Sequence, residues 1–214
     1  MTKKVTIIDY GVGNLLSLKR AFEAIDTEAI ITNNPKKIIN SSYVILPGVG
    51  AFKNAMKFIN QLGLFDIIKE VAEKGTPLLG ICLGAQLLLD RSEEFGLTPG
   101  LGIIKGNVKP IISYNTQNKK ITIPHMGWAN IYLKNNSGDK KKNFLNDINK
   151  NDNFYFVHSY ISKTTNIDET HYITEYEGIE ITAIHGNKNI FGFQFHPEKS
   201  GKSGLKLLKS FLLI

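Results

Sequence analysis

The sequence predicts an α/β protein: an open, mixed and mainly parallel β-sheet with flanking helices, plus an antiparallel strand region in the C-terminal half. Two observations support this fold class. Over the first part of the chain, short apolar runs alternate with stretches whose apolar residues recur at helical spacing, as in strand–helix–strand units on a parallel sheet. After Leu89, short apolar runs continue with few helical patterns between them, which favours antiparallel or mixed pairing.

The parallel half is predicted to contain four strands, each followed by a turn and at least one helix. The predicted strands are Lys4–Asp9, Glu28–Thr32, Tyr43–Leu46 and Pro77–Ile81, and the predicted helices begin near Leu15 and Pro35, cover Ala51–Leu62 and Leu64–Lys74, and run from a turn at Cys82 to Leu89. The first turn, Gly11-Val-Gly13, resembles the start of a dinucleotide-binding loop. Because Leu16 stands where G-x-G-x-x-G requires a third glycine, NAD binding is not predicted.

The second half is predicted to be rich in strands and to close with an amphipathic helix over Ser203–Leu213. The segment 135–153, rich in Lys, Asn and Asp, is expected to be a surface loop with one helical turn near Phe144. No repeat or linker interrupts the chain, so one domain over residues 1–214 is expected. The predicted strands are Leu101–Ile104, Val108–Ile112, Lys120–Ile123, Ile131–Lys134, Phe154–Ile161, Tyr172–Glu175, Ile179–His185 and Ile190–Phe195.

The composition argues against several classes of protein, among them disulfide-bonded, secreted, membrane-spanning and nucleic-acid-binding proteins. A single cysteine excludes an internal disulfide and a cysteine-rich metal site, and favours a reducing, cytoplasmic location. The N-terminal apolar run is too short for a signal peptide, and no stretch has the 18 or more apolar residues that span a membrane. The net charge is +7, but the densest basic run, at 140–142, has no interleaved aromatic or arginine residues. That run is predicted to be a solvated loop, and neither nucleic acid nor membrane is expected as a partner.

The single cysteine, Cys82, lies where a strand pattern gives way to a helical one. Gly80 and Gly84 flank it as G-x-C-x-G, the form of a tight strand-to-helix turn that exposes its central side chain. Glycines suit such a turn because a Cβ would obstruct close backbone approach. The N-terminus of the following helix would favour the thiolate. A small buried apolar residue is the alternative, since free cysteines are often buried, but the paired glycines favour a nucleophile.

A cysteine nucleophile needs a base, and the base needs an orienting group. Of the five histidines, His196 follows the predicted strand ending at Phe195, and reactive groups of such sheets collect at the carboxyl ends of strands. Glu198, two residues later, could hold one imidazole nitrogen so that the other faces the sulfur. The sequence thus predicts a Cys-His-Glu triad, with an ordinary surface His-Pro-Glu turn as the alternative.

A thioester-forming reaction also needs donors for the oxyanion. The backbone N–H of Leu83, directly after the nucleophile, is one predicted donor. The second is expected from a neighbouring strand-end loop, and Gly48-Val49-Gly50 is the best candidate, with the Val49 N–H as donor.

Seven segments, in order along nearly the whole chain, resemble a known family. They are Asp9-Tyr-Gly-Val-Gly-Asn14, Leu46-Pro-Gly-Val-Gly-Ala-Phe52, Gly80-Ile-Cys-Leu-Gly84, Ser92-Glu-Glu94, Pro124-His-Met-Gly-Trp128, Tyr155-Phe-Val-His-Ser-Tyr160 and Gln194-Phe-His-Pro-Glu-Lys-Ser200. G-x-C-x-G-x-Q with a later H-P-E resembles the class I, triad-type glutamine amidotransferases, whose fold is flavodoxin-like. Within that class, the segments resemble the glutaminase subunits of imidazole glycerol phosphate synthase, the HisH family.

The resemblance implies a glutaminase that uses Cys82 as nucleophile and His196 as the acid that protonates departing ammonia. It also implies that a pocket holds the glutamine, with Glu94 pairing with the substrate ammonium, and that His158 is not the catalytic base. The residues that match substrate-binding positions are Gly48, Gly50, Gln86, Glu94, His158, Ser159 and Tyr160.

The resemblance further implies a heterodimer with a TIM-barrel cyclase subunit, which receives the ammonia through a channel and uses it in histidine biosynthesis. Neither a cofactor nor a metal is implied. Trp and Met side chains exposed on a free subunit would be ordinary at an interface; packing in the core is the alternative. The residues that match interface positions are Asn14, Pro124, Met126, Trp128, Tyr155 and Lys199.

Two residues depart from the family pattern: Ala85 stands where Met is usual, and Ala129 stands where Asn usually follows the Trp. Ala85 is expected to change packing beneath the elbow, and Ala129 bears on the choice of partner. Three alternatives stay open at this point. They are a paralogous glutaminase serving amination or amidination of surface-glycan sugars, a stand-alone cysteine hydrolase, and an inactive scaffold for the barrel partner.

Overall fold

The computed structural model describes residues 3–114, 117–134 and 143–214. Within these ranges the α-helices are α1 Leu15–Glu23, α2 Pro35–Ile39, α3 Phe52–Gln61, α4 Leu64–Glu73, α5 Leu83–Leu87 and α6 Gly201–Phe211. The strands are β1 Lys4–Ile8, β2 Glu28–Thr32, β3 Val44–Leu46, β4 Leu78–Ile81, β5 Arg91–Ser92, β6 Thr98–Pro99, β7 Gly106–Pro110, β8 His125–Asn130, β9 Tyr132–Leu133, β10 Asn153–His158, β11 Tyr160–Thr164, β12 Thr170–Tyr176, β13 Ile179–Asn187 and β14 Ile190–Phe193.

The main sheet has the strand order β2-β1-β3-β4-β14-β13-β12-β9. Its first five strands run parallel, and β13, β12 and β9 extend it by antiparallel pairing. Two smaller sheets pair β10 with β8 and order β11-β7-β5-β6. The predicted mixed, mainly parallel sheet with an antiparallel C-terminal region is therefore confirmed.

Hydrophobic clusters cover both faces of the main sheet, because successive strand residues point to opposite faces. On β3, Ile45 belongs to one cluster, whereas Val44 and Leu46 belong to the other. The first cluster packs against α1 and α6 and is rich in phenylalanine; the second packs against α2 to α5. Both faces of β3 and β4 are fully covered, as expected of central parallel strands.

Most predicted elements of the first half are present, with bounds shifted by one or two residues. The main error there concerns the helix after Cys82, which ends at Leu87 instead of Leu89. The predicted strand Leu101–Ile104 is wrong for a related reason. Its backbone N–H groups bond to the carbonyls of Leu87 and Leu88, so the segment satisfies the end of α5 instead of a sheet.

Farther along the second half, two strand predictions need correction and one strand was missed. The run Phe154–Ile161 is two strands, because β10 pairs with β8 while β11 pairs with β7 of another sheet. Lys120–Ile123 forms only an isolated bridge, at Lys120. The strand β8 was not predicted, since Gly127, at a φ of 144°, interrupts any apolar alternation.

A short 3₁₀ helix over Asn143–Asp147 confirms the predicted helical turn near Phe144. Phe144 and Leu145 are buried against the first hydrophobic cluster, so this end of the segment is not a solvated loop. The rest of the predicted loop up to residue 142, including the basic run 140–142, lies outside the described residues. Across the described ranges, no helix has the length and apolar character needed to cross a membrane.

Candidate active site

The sheet topology brings Cys82 and His196 together. The neighbouring parallel strands β4 and β14 are in register, with Ile81 opposite Phe193, so both strands end at the same edge of the sheet. Cys82 directly follows β4, and His196 follows the end of β14 by three residues. Their placement at one sheet edge is that of reactive groups in doubly wound folds.

Cys82 occupies a strained turn, as its flanking glycines predicted. Its backbone has φ 54° and ψ −108°, a region that L-residues rarely adopt and that costs about 1–3 kcal/mol. A Cβ at Gly84 would lie 1.8 Å from the Leu46 carbonyl oxygen, and one at Gly80 would lie 2.6 Å from the Gly84 carbonyl oxygen. Both glycines are therefore required by close backbone contacts around the elbow.

His196 is held by Glu198. The two side chains are almost fully buried, and the imidazole Nδ1 lies 2.8 Å from Glu198 Oε1. With Nδ1–H donating to the carboxylate, Nε2 is the nitrogen left for the second proton of the charged ring, and it has no hydrogen-bond partner among the described residues. Burial lowers the pKa of His196, but the Cys82 sulfur and the Glu198 carboxylate outweigh it and raise the pKa to about 10. The arrangement can therefore hold a proton on His196 opposite a nucleophilic sulfur.

A cavity of about 550 Å³ opens in front of Cys82 and His196, ample for an amino acid. A larger cavity, of about 650 Å³, lies at the opposite, amino ends of β4 and β14, and neither cysteine nor histidine is among the described residues that line it. Phe95, which sequence reasoning missed, also lines the site cavity, with its side chain 83% exposed and its φ at 51°. The predicted site residues that line this cavity are Cys82, His196, Val49, Gly50, Leu83, Gln86, Glu94, Pro124, His158, Ser159 and Tyr160.

Two buried glutamines form a chain that ends at the sulfur. Gln86 Nε2 donates to the Tyr160 carbonyl oxygen at 2.9 Å and to Gln194 Oε1 at 3.0 Å. Since Gln194 turns its oxygen to Gln86, its Nε2 faces Cys82 Sγ, at 4.0 Å. Gln86 was predicted to hold substrate, whereas no role was predicted for Gln194. Its position two residues before His196 is the signal that could have found it.

Glu94 connects the cavity to the start of α3. Its Oε2 accepts a hydrogen bond from the backbone N–H of Phe52, and its own N–H donates to Ser92 Oγ at 3.0 Å. Burial and the Glu94 carboxylate both raise the pKa of Tyr160, across the same cavity. The predicted substrate-binding carboxylate is thus buried and hydrogen-bonded to the backbone.

The predicted oxyanion loop lies directly beside the elbow. Pro47 and Gly48 are buried, whereas Val49 and Gly50 are exposed at the cavity mouth. Leu83 begins α5, and the first N–H groups of a helix lack intrahelical acceptors. The fully buried Tyr10 donates its hydroxyl to the Pro47 carbonyl oxygen at 2.6 Å, and burial together with Cys82 raises the Tyr10 pKa far above its usual range.

His158 is unsuited to act as a base. Its Nδ1–H donates to the Tyr160 carbonyl oxygen at 2.9 Å, so its Nε2 is the acceptor for His125 Nδ1–H at 3.1 Å. Burial, aided by His125, lowers the His158 pKa to about 3, and burial lowers the His125 pKa to about 4. Both nitrogens of a neutral His158 are occupied, as its predicted non-catalytic role requires.

An exposed aromatic cluster includes most of the residues that match interface positions. The ring centroids of Trp128 and Tyr155 are 5.9 Å apart, and Lys199 Nζ lies 5.8 Å from the Tyr155 ring centroid. Trp128 and Met126 are 59% and 62% exposed, so neither packs in the core. Asn14 is the N-cap of α1, a helix that contacts the turn Pro197–Lys199.

The two departures from the family pattern have different surroundings. Ala85 is fully buried, and its carbonyl oxygen accepts a hydrogen bond from His185 Nε2 at 3.2 Å. Burial lowers the pKa of that histidine to about 4, so it is a neutral support beneath the elbow. Ala129 is half-buried and pairs with Phe154 across the β8–β10 ladder.

In the parts of the chain that the structure describes, no group of His, Cys, Asp and Glu could hold a metal ion.

Comparison with known proteins identifies the family. A family model described as glutamine amidotransferase class-I matches residues 6–214. The chain is 41% identical over 210 residues to the imidazole glycerol phosphate synthase subunit HisH 1 of Legionella pneumophila (strain Lens), covering 98% of this chain and 99% of the relative. It is 46% identical over 207 residues to the HisH subunit of Caldanaerobacter subterraneus subsp. tengcongensis, covering 97% and 96%.

Solved structures show the same fold at lower identity. PurLQS from Thermotoga maritima matches with a TM-score of 0.73 at 20% identity, covering 100% of this chain and 99% of that one. A crystal structure of a glutamine amidotransferase matches with a TM-score of 0.72 at 16% identity, covering 98% and 97%. The chain belongs to the class-I glutamine amidotransferases and, within them, to the HisH subunits of imidazole glycerol phosphate synthase.

Proposed function

We propose that this chain is a glutaminase that releases ammonia from glutamine and passes it to a TIM-barrel cyclase subunit for histidine biosynthesis. One observation carries the proposal: the strained Cys82 turn lies beside a buried His196–Glu198 pair at adjacent strand ends, facing one cavity. The names of the HisH relatives support the assignment to this synthase. A cytoplasmic location fits both this role and the single cysteine.

The reaction runs in two steps on Cys82. The sulfur attacks the side-chain amide carbon of glutamine, and His196 Nε2–H⁺ gives its proton to the amide nitrogen as the C–N bond breaks and ammonia leaves. Water then attacks the glutamyl thioester, with His196 taking its proton and the thiolate leaving as glutamate forms. Glu198 keeps the imidazole oriented and stabilises its charged form throughout.

The oxyanion and the substrate are held from opposite sides of the cavity. We assign the oxyanion to the backbone N–H groups of Leu83 and Val49. The Glu94 carboxylate supplies the negative charge that pairs with the substrate ammonium. Gly48, Gly50, Gln86 and the segment His158-Ser159-Tyr160 shape the remaining wall, the last of them through backbone groups such as the Tyr160 carbonyl.

The partner is assigned to the exposed face that carries Met126 and Trp128. This face holds an exposed Trp and Met beside Tyr155, and aromatic residues and Met are the types enriched at interfaces. Pro124 belongs both to this neighbourhood and to the cavity lining, so ammonia formed at Cys82 leaves next to the partner. Asn14, Tyr155 and Lys199 complete the proposed contact.

The test is Cys82→Ala in the complex with the cyclase subunit of the same organism. Glutamine hydrolysis should fall by about 10³-fold or more, because no nucleophile remains. The variant should still co-elute with the cyclase subunit in size-exclusion chromatography, which shows that it folds and assembles. Glutamate release by Cys82→Ala at the unaltered rate would overturn the proposal, and an unaltered complex without glutaminase activity would favour the inactive scaffold.

The pathway is tested separately, by expressing the gene in a histidine auxotroph that lacks its own glutaminase subunit. Growth without histidine, lost again with Cys82→Ala, is the expected result. The glutaminase does not contact the ammonia acceptor, so glutamine hydrolysis alone does not identify the pathway. If the chain hydrolyses glutamine but cannot restore growth beside its own cyclase subunit, the surface-glycan alternative is favoured.

A further inference from the structure

We propose that the Tyr10 hydroxyl is a positioning group for the oxyanion loop, residues 47–50, and that it fixes the start of this loop over the Cys82 elbow. The inference rests on the proposed glutaminase function and goes beyond it, because Tyr10 lines no part of the cavity and contacts neither substrate nor sulfur in the proposed reaction.

The sheet order places Tyr10 beneath the loop. Tyr10 follows the end of β1, and Pro47 follows the end of β3, the neighbouring parallel strand. The Tyr10 side chain is fully buried, and its hydroxyl donates to the Pro47 carbonyl oxygen at 2.6 Å. Because the peptide group is planar, this bond also orients the N–H of Gly48 on the same peptide.

Gly48 then fits closely between Tyr10 and the elbow. A Cβ at this position would lie 2.6 Å from the Tyr10 hydroxyl oxygen, 2.9 Å from the Gly84 nitrogen and 2.9 Å from Leu83 Cβ. The start of the loop is therefore in contact with the residues that directly follow the nucleophile. Leu83 supplies one oxyanion donor, so the Tyr10 bond sets the position of the loop relative to that donor.

The far end of the loop is tethered as well. The backbone N–H of Phe52 donates to the Glu94 carboxylate, and Phe52 is fully buried. Between the two tethers, Val49 is 41% exposed, and Gly50 has a φ of 88° that favours glycine. Fixed ends with an exposed tip restrict where the Val49 N–H can point. Tyr10 holds the end that is closer to this N–H along the chain.

Tyr10→Phe removes the hydroxyl and keeps the ring, which leaves the buried Pro47 carbonyl without its donor. The loop then samples other peptide orientations, and the donor is correctly placed for a smaller fraction of the time. We expect kcat for glutamine hydrolysis to fall about tenfold, less than the 10²–10³-fold typical of deleting an oxyanion donor. KM should change by less than about twofold, because the ground state does not use the oxyanion hole.

Tyr43→Phe is the matched control. The Tyr43 hydroxyl makes a bond of the same length, 2.6 Å, to the Leu212 carbonyl oxygen, away from the loop. Tyr43→Phe should lose less stability in urea unfolding than Tyr10→Phe, because Tyr43 is only half-buried and Lys3 still donates to the Leu212 carbonyl oxygen. Only Tyr10→Phe should lose kcat. Alkylation of the full chain by iodoacetamide provides a second readout. It modifies the only cysteine and needs no oxyanion hole, so its rate should be unaltered in both variants.

Each result decides the proposal. A tenfold loss of kcat confined to Tyr10→Phe, with alkylation unaltered, supports it. Equal kcat in Tyr10→Phe and the unaltered enzyme overturns it while leaving the glutaminase function in place. A parallel loss of alkylation also overturns it, since Tyr10 would then support the elbow and not the loop. An unaltered complex that does not hydrolyse glutamine removes both proposals.

Discussion

Two histidines that line the same cavity, His196 and His158, have pKa values shifted in opposite directions. His196 and His158 both line the cavity and are both almost fully buried. Burial by itself would lower the pKa of both histidines. The net result is nevertheless a pKa of about 10 for His196 and of about 3 for His158. The difference lies in the partners, because His196 faces a carboxylate and a sulfur, whereas His158 faces a carbonyl and a second imidazole. Charge on the neighbour, not depth, decides which histidine can carry a proton.

The fold supplies these partners by different means. The turn Pro197–Lys199 brings Glu198 back to His196, and Ser200 reinforces the turn by donating its hydroxyl to the His196 carbonyl oxygen at 2.6 Å. The other pair arises from strand register, since His125 and His158 are direct partners in the β8–β10 ladder. A local turn therefore builds the reactive histidine, and a long-range pairing builds the neutral one.

The comparison predicts its largest effect for Glu198→Gln. The amide keeps the shape of the side chain but removes the charge that holds His196 protonated and in the correct tautomer. We expect kcat for glutamine hydrolysis to fall by about 10³-fold, somewhat less than the roughly 10⁴-fold loss for the corresponding Asp→Asn change in a serine triad. Steady-state assays of glutamate release by the complex measure this loss.

Glu175→Gln, at an exposed site on β12, is the matched control and should leave kcat unchanged. If Glu198→Gln kept more than about a tenth of the activity, the carboxylate would not be what distinguishes His196 from His158, and the comparison would fail.

The second effect concerns stability. His158→Ala leaves the His125 Nδ1–H and one hydrogen bond of the Tyr160 carbonyl without partners in a buried region, and it opens a cavity. We expect the free energy of unfolding to fall by about 3 kcal/mol, measured by urea denaturation. The loss of kcat should be at least tenfold smaller than that of Glu198→Gln. A variant with full stability and no activity would instead make His158 a catalytic group.

Local patterns were sufficient to predict most of the parallel half of the fold and the three residues of the proposed triad, whereas the substrate-binding positions were predicted from the family resemblance. The Gly-x-Cys-x-Gly turn and the His-Pro-Glu turn are short-range features, so Cys82, His196 and Glu198 could be found from the sequence, although their roles stay predictions. The contacts of Gln194 and Tyr10 could not, because they depend on which strands are neighbours. The order β1-β3-β4-β14 is a tertiary property that no local periodicity contains.

The errors in the second half have the same origin. The segment Phe154–Ile161 has apolar residues on both sides of His158-Ser159, so its pattern gives no sign that Ser159 separates strands of two sheets. Leu101–Ile104 is apolar because it packs under α5, where it satisfies that helix's last carbonyls. In both segments the apolar pattern correctly indicates buried side chains, but it does not indicate which backbone groups the segment bonds to. The assignment of all 214 residues to one domain stays a prediction.

The smallest predicted effect is the dependence of stability on pH. Its sign separates His125, His158 and His185 from His196. His125, His158 and His185 have lowered pKa values in the folded state, so their contribution to stability is complete above pH 6.5 and is lost as the pH falls toward 4. His196 has a raised pKa, so its contribution is complete below pH 6.5 and is lost as the pH rises toward 10. Each of these histidines contributes a slope of up to about 1.4 kcal/mol per pH unit within its window.

Urea unfolding of the unaltered chain between pH 4 and pH 10 should therefore show stability falling on both sides of a maximum near neutrality. His158→Ala should reduce the slope on the acid side only, because it removes a histidine that resists protonation. Glu198→Gln should reduce the slope on the alkaline side only, because His196 then loses the carboxylate that raises its pKa. If either variant changed the acid and the alkaline slope equally, the titration of His196 would be coupled through the cavity to that of the other histidines. The pKa shift of each histidine could then no longer be attributed to its own neighbours alone.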